Sequence, residues 1–469
     1  MDGLKALEAA VRKDLDRLQY PARSWLKPRT TTKSGQPVLD VLIVGGGQGG
    51  LATAAGLQRE KIDNVLIVDQ NPLDRAGPWL NFARMITLRT PKHVTGPDLG
   101  LPNLTIESWY EAQHGEGSWS GMGLIPKETW AAYLAWYRQV LELPVRAETK
   151  VLEVGWDDAE GQLWADVQSV ATGQRERLWA RRVVLATGIE GSGRWHVPPF
   201  IADALPRERY AHTREDIDFA ALSGKRIGVL GAGASAFDNA SVALESGAAS
   251  VDLFFRREKM VDVNPYRWAE FVGFLRHHAD LPDPLRWRFI LKILRMGQLP
   301  PPDTFARASK HDAFTLRPGS PWTEVAMKDD AVHVTTPKGS HAFDFVIIGT
   351  GFITDLSTRA ELATVHEHVA RWADRYTPPE AEAHADLARH PYLGPSFELT
   401  PRDEGAPAWV SRIHNYTFGC LPSLGFGGAS ISGMKYSIPR LVGGITASLY
   451  REDAEAFYDT LCEYDDKEF

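Results

Sequence analysis

The sequence predicts an α/β protein of two parallel-sheet units, one inserted into the other, with a helical excursion in the inserted unit. Three observations carry this. An apolar strand runs straight into a glycine-rich turn at Val41–Leu51, "VLIVGGGQGGL". The same arrangement recurs at Lys225–Ala236, "KRIGVLGAGASA". Two further apolar runs, "RRVVLATGIEG" (Arg181–Gly191) and "DFVIIGTGF" (Asp344–Phe352), each close on Thr-Gly.

Size and composition allow such a fold. At 469 residues the chain has material for two or three domains. Its 43% hydrophobic and 24% charged residues are those of an ordinary globular protein. A formal net charge of −8 argues against a nucleic-acid or anionic-membrane partner. No apolar run reaches the ~20 residues that span a bilayer. Cys420 and Cys462 form no CxxC and no metal spacing, which fits a reducing, cytoplasmic setting and removes dithiol chemistry. The adjacent His277 and His278, and His366 with His368, lack the accompanying ligands a metal needs, so no metal is expected.

The N-terminal stretch places Leu4, Leu7, Val11, Leu15 and Leu18 at helical spacing. It reads as an amphipathic helix docked on the body or on a second copy, as in a homodimer. Strand 38–44 follows, then the first glycine turn. Read as GxGxxG, its Gly45 makes the turn, Gly47 lets a ligand approach the backbone, and Gly50 lets helix and strand pack closely. The bare N–H groups at the start of the next helix, reinforced by its dipole, suit a pyrophosphate. The next strand ends in Asp69, at the distance expected for an acid that binds a ribose hydroxyl.

The second turn sets Gly231, Gly233 and Ala236 in the same frame, but its next strand ends in Arg256-Arg257. An acid accepts from a free 2′-hydroxyl, whereas arginine accommodates a 2′-phosphate. The first unit therefore reads as the FAD site and the second as the NADPH site. Both are Rossmann-like, three-layer units. The two Thr-Gly strands mark where the chain is expected to leave and re-enter a discontinuous FAD domain. The expected division is 1–37 as an N-terminal helical extension, 38–221 and 346–469 as the FAD-binding domain, and 222–345 as the NADPH-binding domain. Within the last, about 261–322 reads as the helical excursion. Its Trp268, Phe271, Phe274, Trp287 and Phe289 either cover an active site or simply pad the domain.

Two such glycine turns with two Thr-Gly turns resemble the NADPH-dependent flavoprotein monooxygenases: flavin-containing monooxygenases, Baeyer–Villiger enzymes and amine N-hydroxylases. "DRAGPW" (Asp74–Trp79) looks like that group's Gly-Gly-x-Trp, and "LRTPK" (Leu88–Lys92) stands where its flavin-facing loop runs. Arg89 occupies the place of the usual Asn, as in the Leu-Arg-x-Pro of amine N-hydroxylases. Of the FxGxxxHxxxW signature only His212 remains, which lowers a ketone-oxidising role; a place in the domain hinge suits this histidine better than proton transfer. The stretch His414–Leu441 reads as a glycine-rich loop feeding a final helix, Pro439 to Tyr450, and in related flavoproteins such a segment closes over the flavin.

The resemblance implies hydride transfer from NADPH to flavin, then insertion of one oxygen atom from O2 into a small organic substrate. The oxygen passes through a C4a-(hydro)peroxyflavin, with N- or S-oxygenation favoured. An NADPH-dependent flavin reductase or oxidase is the alternative, and a non-enzymatic NADPH sensor the third. Expected cofactor contacts are Gly45, Gly47, Gln48, Gly50, Asp69, Gln70, Trp79, Arg89, Thr90, Thr187 and Gly188 around FAD. Gly231, Gly233, Ala234, Ser235, Arg256 and Arg257 are those expected around NADPH, and Gly351, at the second Thr-Gly turn, is a further expected cofactor contact. Arg89 is the candidate catalytic residue, facing flavin or nicotinamide, with a structural ion pair as the competing reading.

Overall fold

The computed structural model describes residues 2–18, 23–27, 30–94 and 96–469. Val38–Val44 is the central strand of a first, seven-stranded sheet. It pairs in parallel with Val65–Val68 on one side and Arg175–Leu185 on the other, so Val44 stands between Val68 and Leu185. Val41, Leu42 and Ile43 are wholly buried, as a central parallel strand covered on both faces requires. The long strand Arg175–Leu185 turns back antiparallel through Gln162–Ser169 to Thr149–Asp157 and also takes Ile413–Asn415 as a parallel neighbour.

The second sheet has five parallel strands, in the order Phe314–Arg317, Ser250–Phe254, Arg226–Leu230, Phe345–Ile348 and Tyr210–His212. This corrects two expected boundaries. The "DFVIIGTGF" strand does not re-enter the first domain. Val346, Ile347 and Ile348 are fully buried in the second sheet, and Tyr210–His212, placed before residue 222, completes that sheet's edge. The crossings between domains are instead Gly193–Trp195 and Phe352–Thr354, which pair antiparallel. Each Thr-Gly turn thus belongs to its own domain's glycine turn: Ala186 N–H donates to Val44 O, and Gly349 N–H to Leu230 O.

The helical excursion is shorter than expected. It comprises Pro265–Trp268, Val272–His277, Asp283–Met296 and Pro302–Ser309, after which Phe314–Arg317 is already sheet. A three-stranded antiparallel meander over 324–343 follows. The excursion's core faces the first domain's C-terminal segment, where Phe274, Trp287 and Ile290 pack with Trp372, Leu387, Leu421 and Phe426. The helix expected to be the last runs Met434–Glu452, starting before Pro439, which sits in its second turn and forfeits only the bond to the carbonyl of Lys435, and a further helix, Ala454–Cys462, follows it. The C-terminal end of Met434–Glu452 is tied down by charge. Arg181, with no exposed surface, pairs with Asp40 at 3.1 Å and Asp453 at 2.8 Å, and Arg182 pairs with Glu452 at 2.8 Å. The N-terminal helix Asp2–Arg17 docks on the first domain, with Leu7 and Val11 buried in its core.

Four histidines are buried, and burial pushes each ring down to a pKa of about 4. They are His212, His278, His390 and His414. Their folded values lie below the ordinary value near 6.5, so between the two the unfolded chain binds more protons. Their contribution is complete above about pH 7 and is lost as pH falls from 6.5 towards 4, by up to ~1.4 kcal/mol per pH unit for each ring. The melting temperature should therefore be level from pH 7 to 8 and fall steeply from 6.5 to 4.5. A flat profile from pH 7 to 5 would show that these rings are not buried neutral.

Candidate active site

Each glycine of the first turn answers a different physical demand. Gly45 has φ +112°, and a Cβ there would lie 2.4 Å from Ala186 O. At Gly50 a Cβ would lie 1.9 Å from Gly45 O, so helix Gln48–Arg59 approaches the strand as only glycine allows. Gly47 is different. Its φ −75° and ψ −174° suit any residue, and a Cβ would meet nothing closer than Gly77 Cα at 3.7 Å. Neither backbone strain nor packing requires glycine there, which leaves the space for a ligand.

The second turn repeats this. Gly231 has φ +124°, with Gly349 O 2.2 Å from a Cβ, while Gly233 has ordinary angles and open space around it. Ala236 replaces the third glycine, and its methyl is accommodated by Gly349, where a Cβ would come within 2.8 Å of it. Both following helices, Gln48–Arg59 and Ala234–Glu245, lack a side-chain cap and any acid in the first turn. Their first N–H groups are thus available to an anion.

A cavity of about 880 Å³ runs from the first turn to the start of the helix that follows the second. Gly45, Gly47, Gln48, Asp69, Gln70, Trp79, Arg89, Thr187, Gly188 and Ser235 line it, as the sequence led us to expect of cofactor contacts. Gln48 accepts from Trp130 Nε1 at 3.2 Å, which leaves its amide NH2 as the free end. Asp69 accepts from the N–H groups of Gly46 (2.7 Å) and Asn71 (2.8 Å), so it braces the turn while facing the cavity. Trp79 Nε1 and Thr187 Oγ1 are buried without partners. Gly188 has φ +83° and open space where a side chain would stand. A wall of open glycines and unsatisfied donors fits a dinucleotide with a planar ring.

Arg89 pairs with Asp238 at 3.0 Å, from the Leu88–Lys92 loop across to the second domain. Asp238 is buried, and that burial pushes its carboxyl above the ordinary range despite the guanidinium. The loop before Arg89 is tied to the same domain by Arg84, which donates to Thr213 O (2.9 Å) and Glu215 O (2.6 Å). Sequence reading missed Asp238, Asn239 and Arg84. The first two lie three and four residues after Ser235, the helical spacing that puts all three on one face. Arg84 had no comparable signal.

Other expected residues lie elsewhere. Gly50, Thr90, Gly231, Gly233, Ala234, Gly351 and the Arg256-Arg257 pair are off the cavity wall. Arg257 is committed elsewhere, donating to Met296 O (2.8 Å) and Arg295 O (2.9 Å) at the end of helix Asp283–Met296. Arg256 is exposed and has no ion-pair partner among the described residues. The excursion's aromatics do not reach the cavity, because the cluster with Trp372 and Phe426 consumes them while Trp268 and Phe271 face solvent. His212 lies against Trp195 of the crossing strand, ring centroids 5.2 Å apart, and accepts from Arg214 N–H at 3.2 Å. Gly428 and Ala429 bring the C-terminal glycine-rich loop onto the wall. Among the described residues no group of His, Cys, Asp or Glu could hold a metal, and no helix is long and apolar enough to cross a membrane.

Comparison with known proteins agrees with this geometry. A family model described as pyridine nucleotide-disulphide oxidoreductase matches residues 42–273, although Cys420 and Cys462 are both free here. An FAD-dependent urate hydroxylase of Xanthomonas campestris is 44% identical over 466 residues, covering 99% of this chain and 97% of that one. Among solved structures, the FAD-bound cadaverine monooxygenase of Erwinia amylovora superposes with a TM-score of 0.67 at 15% identity, over 88% of this chain and 95% of that one. An ornithine N-hydroxylase of Kutzneria, with reduced FAD, NADP+ and L-ornithine, gives 0.66 at 14% identity, over 88% and 100%.

Proposed function

The chain belongs to the FAD-dependent flavoprotein monooxygenases, and from that premise we propose that it uses NADPH and O2 to hydroxylate urate or a closely related oxopurine. The observation that carries the substrate is the near full-length likeness to a urate hydroxylase. The N-hydroxylases share the fold at far lower identity, so the N- or S-oxygenation favoured from sequence gives way to a purine.

The residues divide the work. Gly47 and the first N–H groups of helix Gln48–Arg59 would take the pyrophosphate of FAD, and Asp69 its ribose. Bound there, FAD supplies the redox chemistry with O2 that no side chain can provide. The chain's own task is to bind, orient and keep water away. The open backbone at Gly188 and the loop at Gly428 and Ala429 form the floor of the cavity that would receive the ring. Ser235 and the second glycine turn would take the pyrophosphate of NADPH. Arg84 holds the flavin-facing loop against the second domain, so that the cofactors would meet inside the cavity between them.

The test is NADPH consumption by the purified yellow protein with urate, alongside amines and sulfides. Urate should stimulate it most, and heavy-oxygen label from O2 should appear in the purine product. Hydrogen peroxide as the only oxygen product would support the oxidase alternative instead. Stimulation by amines and not by urate would refute the purine reading.

Asp69→Ala should weaken FAD by ~1.5–3 kcal/mol, the scale of a hydrogen bond to a charged group, or about 10- to 100-fold in Kd. Because Asp69 also accepts from Gly46 and Asn71, the apoprotein's melting temperature should fall too. Titration of apoprotein with FAD checks both, and an unchanged Kd would remove Asp69 from the site.

A further inference from the structure

The Arg89–Asp238 pair is half made. A guanidinium facing a carboxylate side-on closes with two parallel bonds, Nε–H to one oxygen and Nη–H to the other. Here only Nη2 donates, to Oδ2 at 3.0 Å. Arg89 Nε and Asp238 Oδ1 are both buried and have no partner. One residue on, Asn239 gives its Nδ2 to Ser235 O at 2.8 Å, and its Oδ1 is likewise buried and unpaired. Arg89, Asp238 and Asn239 all belong to the wall of the same cavity. Buried polar groups left open in this way are costly, and a ligand that pairs them removes the cost.

The open valences can be counted. Among the atoms buried without a partner there is one donor, Arg89 Nε–H, and there are two acceptors, Asp238 Oδ1 and Asn239 Oδ1. The complement is one carbonyl oxygen beside two N–H groups, which is a primary carboxamide. A lactam edge offers a carbonyl with a single N–H and leaves one acceptor unpaired; a cyclic ureide has two N–H groups, but on opposite sides of its carbonyl, whereas a carboxamide carries both on one nitrogen. We propose that Arg89, Asp238 and Asn239 form the subsite for the carboxamide of the nicotinamide ring. Its carbonyl accepts from Arg89 Nε, and its NH2 donates to Asp238 Oδ1 and Asn239 Oδ1. The assignment rests on the reading that NADPH enters by the second glycine turn, since Ser235, Asp238 and Asn239 lie on the first turns of the helix that follows it. Arg89 and Asp238 are then positioning residues that fix the angle of the ring, and their ion pair is completed by the ligand.

The experiment compares NADP+ with its 3-acetylpyridine analogue, which keeps the carbonyl and replaces NH2 by methyl. Binding to the FAD-loaded protein is read from the flavin absorbance change. Wild type should bind NADP+ about 10- to 100-fold more tightly than the analogue, the range for a hydrogen bond to a charged acceptor. In Asp238→Asn that ratio should fall at least tenfold. Asn239→Leu leaves the ion pair intact and should lower the ratio about 3- to 10-fold, so the proposal stays testable if Asp238→Asn loses its flavin. Arg89→Lys keeps the charge but has no Nε donor; it should weaken both ligands equally and leave the ratio unchanged. A ratio near one in wild type, or one unmoved by both Asp238→Asn and Asn239→Leu, overturns the subsite. If Asp238→Asn shifts only the Kd of urate, the three atoms belong to the substrate and the proposal falls. If NADP+ does not perturb the wild-type flavin at all, while NADPH still reduces it, the subsite alone fails; if neither occurs, the NADPH reading fails with it.

Discussion

Gly47→Val should yield a folded but colourless protein. The residue sits at φ −75° and ψ −174°, which valine adopts without strain, and the nearest protein atom to a new Cβ is 3.7 Å away. The fold therefore tolerates the change. The ligand does not, because the added methyl groups occupy the path of a pyrophosphate approaching the helix N-terminus. Far-ultraviolet circular dichroism should match wild-type apoprotein, while the flavin absorbance is lost. Gly50→Ala is the contrasting control. Its methyl would lie 1.9 Å from Gly45 O, backbone that cannot move without opening the turn. That variant should lose stability whether or not FAD is present, in the manner of other overpacked core positions. A Gly47→Val protein with a full flavin spectrum would refute the assignment of FAD to the first turn.

The contrast shows what a glycine motif does and does not reveal. The spacing of Gly45, Gly47 and Gly50 marks a nucleotide turn, and strands ending at Val44 and Val68 are legible from their apolar runs. Which glycine serves the fold and which the ligand is visible only once neighbouring backbone is in place. The strand Phe345–Ile348 shows the complementary limit. Its composition announces a buried parallel strand, but nothing local says which of two sheets will bury it. Pairing with Arg226–Leu230 and Tyr210–His212 decides that, and those contacts lie more than a hundred residues away in sequence. The excursion fails for a similar reason. A run rich in Trp and Phe must be buried somewhere, and Trp287 is buried against Trp372, not against a substrate. Asp238 was missed because a single acid inside a helix looks like any solvated residue until Arg89 is opposite it.

The two arginines at the end of Ser250–Phe254 should separate cleanly on mutation. Adjacent in sequence, they have different surroundings. Arg257 spans the last carbonyls of helix Asp283–Met296, a favourable place for a cation at the negative end of the helix dipole. Arg257→Ala should cost about 1 kcal/mol of stability and leave the choice of nicotinamide almost unchanged. Arg256 is exposed and unpaired among the described residues, so its guanidinium is free to hold a 2′-phosphate with two parallel N–H bonds. NADH brings no charge to that place and leaves a solvated arginine at no large penalty. The preference for NADPH should therefore be about 10- to 100-fold, the equivalent of one charge-assisted contact of ~1.5–3 kcal/mol. Arg256→Ala should raise KM for NADPH by that factor, with the flavin spectrum and the rate with NADH nearly constant. Because the contact is exposed, added salt should erode the advantage as the Debye length shortens. Equal kcat/KM for NADH and NADPH in the wild type at low salt would refute the role given to Arg256, and a loss of preference in Arg257→Ala alone would transfer that role to its neighbour.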